Sequence, residues 1–140
     1  MRLADWDVRL ADWAQSALGR RFCWGKTDCA LLAFEAFDAL TGGDLAGAYR
    51  GQYAGSAGAR AFMRRWDIDA ARVLRASGCR DVHPAFAQRG DIILANDGQW
   101  LCAHVCLGAR LLMAPRGGRV GYGELAPLTT RAYTFALRVI

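Results

Sequence analysis

Cys29 and His104 are the residues whose types and settings could do chemistry together. Cys29 opens the run CALLAFEAFDAL, almost wholly apolar to Leu40, with Thr27 or Asp28 available as N-cap and Gly42 as the C-terminal stop. A thiol in the first turn of such a buried helix meets unpaired backbone N–H groups and the positive end of the helix dipole, which favour the thiolate. The same N–H groups can receive the oxyanion of a tetrahedral intermediate. His104 lies in the middle of an apolar strand running from Trp100 to Leu107. Alternation there puts Trp100, Cys102, His104 and Cys106 on one face and Leu101, Ala103, Val105 and Leu107 on the other. If the face bearing His104 meets the helix start, imidazole can take the thiol proton and a nucleophile results. Each residue also has a plain role open to it, Cys29 as an inert core thiol and His104 as a histidine hydrogen-bonded to backbone. His83 precedes Pro84 in a predicted loop and is the weaker candidate.

Cys102, His104 and Cys106 are also metal-ligand types, and their spacing tests that reading directly. At the strand rise of about 3.3 Å per residue, the outer two are about 13 Å apart at the backbone, too far for one tetrahedral ion on an unbroken strand. No C-x-x-C is present. No metal and no cofactor are therefore expected, unless ligands are shared with another chain.

These residues need elements to position them. The segment Arg2-Leu3-Ala4-Asp5-Trp6 recurs one heptad later as Arg9-Leu10-Ala11-Asp12-Trp13, so Leu3, Trp6, Leu10, Trp13 and Ala17 share one face of an amphipathic helix within residues 1–20 that ends at Gly19. Two heptads are too few for a coiled coil, so the helix packs on the domain. The stretch from Gly42 to Gly58 reads as an irregular connection. Ser56 can cap a third helix running to about Trp66, and Asp69 a fourth running to about Ser77. Strand patterns follow at Asp91–Ala95 and Trp100–Leu107, with Asn96-Asp97-Gly98 as the turn between them. Arg110–Ala114, the region near Val120, and Ala132–Ile140 supply further strands. Helices first and strands afterwards predict an α+β fold, with helices packed on one face of a small antiparallel sheet.

The 140 residues form one domain, residues 1–140, and 54% hydrophobic content lets it bury a core without staples. Five cysteines (Cys23, Cys29, Cys79, Cys102 and Cys106) are an odd set in a chain of this size, which predicts reduced thiols and no intrachain disulfide. The 18 basic residues, all but Lys26 arginine, outnumber 13 acidic ones, but they are scattered and mark no nucleic-acid face. Charge at Arg2, Asp5 and Asp7 breaks the start, so no signal-peptide core is expected. The longest uncharged run, Gly98–Ala109, is far short of the roughly 20 residues of a membrane span, and no membrane insertion is expected.

Three segments together resemble the NlpC/P60 type of papain-like cysteine hydrolase. Phe22-Cys23-Trp24-Gly25-Lys26-Thr27-Asp28-Cys29-Ala30 resembles the loop that leads to the nucleophile helix. Arg89-Gly90-Asp91-Ile92-Ile93-Leu94 resembles the Gly-Asp strand, and Ala103-His104-Val105-Cys106-Leu107-Gly108 the strand that carries the base. Tyr49-Arg50-Gly51-Gln52-Tyr53 and the length are similar to a short subgroup found in bacteriophage tail gene clusters.

The resemblance implies a papain-like fold with Cys29 as nucleophile and His104 as base, and with Asp28 and Trp24 shaping the site or its oxyanion pocket. It implies a tail-associated peptidase or amidase cutting peptidoglycan stem peptides during cell entry, made in a host cytoplasm, carried in the virion and docked on tail-hub or tail-tip proteins. Two positions depart from the pattern. Phe22 stands where the family has a tyrosine, and nothing polar stands near Met113, where the third catalytic residue belongs. Those departures also fit an alternative, a catalytically degenerate structural or adaptor piece of the tail tip.

Overall fold

The structure, a computed structural model, describes residues 1–96, 101–113, 124–127 and 135–140, with the backbone alone at 96, 101, 113 and 124–127. Among the described residues five α-helices precede the sheet: α1 (Trp6–Ala17), α2 (Cys29–Thr41), α3 (Leu45–Tyr49), α4 (Gly55–Trp66) and α5 (Ala70–Ala76). The strands are β1 (Arg80–Val82), β2 (Ile92–Asn96), β3 (Leu101–Cys106), β4 (Arg110–Met113), β5 (Glu124–Pro127) and β6 (Phe135–Arg138). They form one sheet in the order β1-β6-β2-β3-β4-β5, and every neighbouring pair is antiparallel. The fold class is α+β.

Helix α2 is buried along most of its length because its sequence offers almost nothing polar. Ala30, Leu31, Leu32, Ala33, Phe34, Ala36, Phe37 and Leu40 are all buried. Asp28 caps its start, and Gly42, at φ 77°, ends it in the left-handed conformation that glycine adopts without cost. Helix α1 lays Leu10, Ala14 and Ala17 into the same core, with Trp6 and Trp13 packed at its margin.

Ile92, Leu94, Ala103, Val105, Leu112 and Leu137 meet the helices from one side of the sheet. Directly paired residues in an antiparallel ladder point to the same face. The pairs Ile92↔Val105, Leu94↔Ala103 and Val105↔Leu112 therefore define the helix-facing side. Ile93, Cys106, Leu111 and Ala136 form a second, smaller cluster on the opposite side.

Two local expectations are corrected. The connection from Gly42 to Gly58 is not irregular throughout, since it contains α3, whose first N–H groups at Leu45 and Ala46 are received by the Asp38 carboxylate at 2.6 and 2.9 Å. Ser56 does not cap the next helix: α4 begins at Gly55, and Ala54 holds the cap position with no side-chain bond. Strand β1, too short to show alternation, pairs with β6 across the chain. Asp69 does cap α5, accepting the Arg72 N–H at 2.7 Å. The turn at Asn96-Asp97-Gly98, the start of the strand at Trp100 and the region near Val120 fall wholly or partly outside the described residues.

Candidate active site

The site is built on the first turn of α2. Asp28 is 1% exposed, and its two carboxylate oxygens are fully engaged. Oδ1 accepts the Leu31 N–H at 3.0 Å, while Oδ2 accepts the Gly25 N–H at 2.9 Å and the Tyr53 hydroxyl at 2.6 Å. A buried carboxylate is costly unless its oxygens are hydrogen-bonded, and three donors meet these two. The loop before it is pinned in turn, because Gly51 donates to the Gly25 carbonyl at 2.9 Å and Gly25 lies at φ 81° against the Tyr53 backbone. Phe22 and Trp24 stack edge to face with centroids 5.0 Å apart.

The Cys29 thiol meets strand β3 at Cys102 and Ala103. A hydrogen bond from the Cys102 thiol lowers the Cys29 pKa, burial opposes it, the Ala103 N–H lowers it further, the Asp28 charge raises it, and the Ala30 N–H lowers it again. The net direction is down, toward thiolate. Cys102 moves the other way, its proton held by the bond to Cys29, by burial and by the charge of Cys29. Burial first, then the Asp28 charge and hydrogen bond, push the Tyr53 hydroxyl far above its usual range.

His104 is not joined to this arrangement. It pairs with Ile93 and with Met113, and Ile93 belongs to the cluster on the sheet face away from the helices. His104 is 7% exposed, burial alone lowers its pKa, and Nδ1 has no hydrogen-bond partner among the described residues. The described β3–β4 ladder ends at His104 and Met113, and Cys29 meets β3 just beyond that end.

The sequence-derived residues thus separate. Cys29 stands at the helix start as expected. His104, assigned as its base, makes no described bond to it, and the residue that does is Cys102. Asp28 shapes the site as an acceptor. Its charge opposes the Cys29 thiolate, and the backbone donors at that sulfur are the N–H groups of Ala30 and Ala103. Trp24 packs beside the loop on Phe22. The backbone of Met113 lies opposite His104, and its side chain is outside the described set. Tyr53 lies in the Tyr49–Tyr53 motif, but a hydroxyl on a long connection has no spacing in the sequence that points to Asp28. Among the described residues, no group of three or more His, Cys, Asp or Glu side chains is placed to hold a metal.

A family model matches residues 1–139. The chain belongs to the family described as Domain of unknown function (DUF6950). No curated protein and no solved structure matches it. For this DUF6950 chain, what the site can do rests on its own geometry: a helix-start thiol with two backbone N–H groups and a second thiol against it. The apolar crevice alongside, between Ala30, Phe34, Tyr53 and Phe62, encloses about 10 Å³, room for about one water.

Proposed function

We propose that this DUF6950 chain is a papain-like domain of NlpC/P60 type in its degenerate form, serving as a structural or adaptor component of a bacteriophage tail tip. The observation that carries the loss of chemistry is the partner of Cys29, which is Cys102 rather than a histidine. A thiol whose own proton is held tightly cannot act as general base at neutral pH, since the base must accept a proton near the working pH. Phe22 without a hydroxyl and the apolar run at Leu111-Leu112-Met113 agree with that loss. The tail assignment rests on the resemblance of the Cys29, Asp91 and His104 segments and of Tyr49–Tyr53 to the tail-cluster subgroup. Tail-hub or tail-tip proteins are the proposed partners, and the virion the proposed location. No described helix is long and apolar enough to cross a membrane.

One observation favours the second reading, a working cysteine peptidase or amidase on peptidoglycan stem peptides. Cys29 keeps a thiolate-favouring setting with the N–H groups of Ala30 and Ala103 beside it. The two readings part on a single comparison. Purified wild-type protein and Cys29→Ala are incubated with peptidoglycan while released stem-peptide fragments are measured, and particles made with each version are assayed for the chain by mass spectrometry and for infectivity. The structural role predicts no fragment release, the chain present in particles, and infectivity unchanged by Cys29→Ala. Fragment release abolished by Cys29→Ala would establish the hydrolase instead, and particles that assemble and infect without the chain would remove the tail role.

A further inference from the structure

Two thiols from separate rigid elements meet where α2 begins. Cys29 sits on the first residue of that buried helix, Cys102 on a strand paired with β2, and a hydrogen bond runs from the Cys102 sulfur to the Cys29 sulfur. Cys29 is partly exposed and Cys102 is buried. Helix α2 and β3 pack against each other in the common core, to which Ala30, Leu31, Ala103 and Val105 all belong, so the approach of the two sulfurs is set by the packing of two core elements. The other three cysteines lack this arrangement: Cys23 is exposed and directed at the Trp24 carbonyl, Cys106 at the Gly108 carbonyl, and Cys79 is buried.

We propose that Cys29 and Cys102 form a redox dithiol that a low-molecular-weight disulfide such as oxidised glutathione converts to an intrachain disulfide. This reverses the sequence expectation that no such bond forms, and it does not depend on the tail assignment. Cys29 reacts first, because its residue is partly exposed where Cys102 is buried and because its setting favours the thiolate. Its sulfur attacks one sulfur of oxidised glutathione, the glutathione S–S bond breaks, a Cys29–glutathione bond forms, and one glutathione thiolate leaves and takes up a proton. Cys102 then releases its proton, its sulfur attacks the Cys29 sulfur, and the second glutathione leaves as thiolate and is protonated. Two protein thiols are oxidised and one glutathione disulfide is reduced to two thiols. Excess reduced thiol drives the same steps backward.

The role of Cys102 as resolving thiol follows from position: it already lies against Cys29, so the mixed disulfide forms beside its next attacker. Closing the bond ties the α2 start to β3 and removes the one thiolate-favoured sulfur from reaction.

The test treats the reduced full-length protein with oxidised glutathione at neutral pH, blocks remaining thiols, and maps peptides without reduction. The expected result is one linked peptide joining Cys29 and Cys102, with the five titratable thiols falling to three. Cys102→Ser should instead accumulate glutathione on Cys29, and Cys29→Ser should leave Cys102 unmodified, with circular dichroism confirming that each variant is folded. A glutathione adduct persisting on wild-type Cys29, a disulfide between any other pair, or modification confined to Cys23 would each overturn the proposal. The wild-type arm decides it even if a variant fails to fold.

Discussion

At the scale of single residues, the candidate site is governed by which group addresses each ionisable atom. Cys29 is reached by the Cys102 thiol and the N–H groups of Ala103 and Ala30. A small alkylating agent at neutral pH should therefore label it faster than Cys79, Cys102 or Cys106, whose pKa values are all raised, Cys79 to about 11 by burial. His104→Ala should leave that rate within about twofold, and Cys102→Ala should slow it by removing the leading donor, both read by peptide mass spectrometry over time. A strong slowing by His104→Ala would restore His104 as the base. His104 itself carries a pH signature. Burial depresses its pKa below the ordinary 6.5, so the unfolded chain binds its proton more readily than the folded one. Its contribution is fully present above 6.5 and is lost as pH falls through the depressed folded value. Urea midpoints measured from pH 7.5 downward should fall in the wild type, and that part of the slope should be missing in His104→Gln. Both cysteine placement and histidine burial were legible as types in the sequence, but their partners were not, because neither Cys102 nor His104 differs in spacing from the other.

At the scale of elements, the start of α2 is a small machine for holding a charge. A cap at Thr27 or Asp28 was readable before the apolar run, and Gly42 as the stop, since both signals are local; the structure gives the cap to Asp28. Tyr53 reaches Asp28 from beyond α3, and a contact across that distance leaves no periodic trace. Tyr53→Phe removes one donor from a buried carboxylate and should cost about 1.5–3 kcal/mol, measured by denaturant unfolding. Loss within experimental error would mean that Gly25 and Leu31 suffice. Gly25→Ala should be worse, because the residue lies at φ 81° and a β-carbon would fall 2.0 Å from the Tyr53 carbonyl oxygen. The expected outcome is a lowered melting temperature together with a changed Cys29 alkylation rate, as the loop is displaced from the helix start. A Gly25→Ala protein as stable as the wild type would contradict this placement of the loop. The element missed at β1 and the misplaced start of α4 have the same origin: three residues cannot display alternation, and Gly55-Ser56 offers a cap residue that the tertiary packing does not use.

At the scale of the whole molecule, Asp91 ties the ends of the chain to its middle. It is 0% exposed and takes three bonds from Arg138 at 2.9, 3.2 and 2.8 Å, one from Arg2 at 3.4 Å, and the Gln88 N–H at 2.8 Å. Arg2 also donates to the Val139 carbonyl at 2.9 Å and lies over the Trp6 ring, so the start of the chain, the turn before β2 and the last strand close on one carboxylate. Arg138→Met strips the bidentate partner from a buried charge and should cost about 3–5 kcal/mol in denaturant unfolding. Replacing both partners, Asp91→Asn with Arg138→Met, should recover part of that loss, and a double variant no better than the single one would show that the charge is not the cause. The α+β class, the extent of α2, a cap at Thr27 or Asp28, the helix-start thiol and the division of β3 into two faces were legible in the sequence itself, because hydrophobic period and cap chemistry act within a few residues. Only the tertiary structure decided that the start of α2 meets β3 at Cys102 and Ala103 and not at His104, and that Tyr53 and Arg138 complete buried carboxylates. Alternation states which side chains share a face, but the point on the ladder where a helix end arrives depends on how the whole core packs.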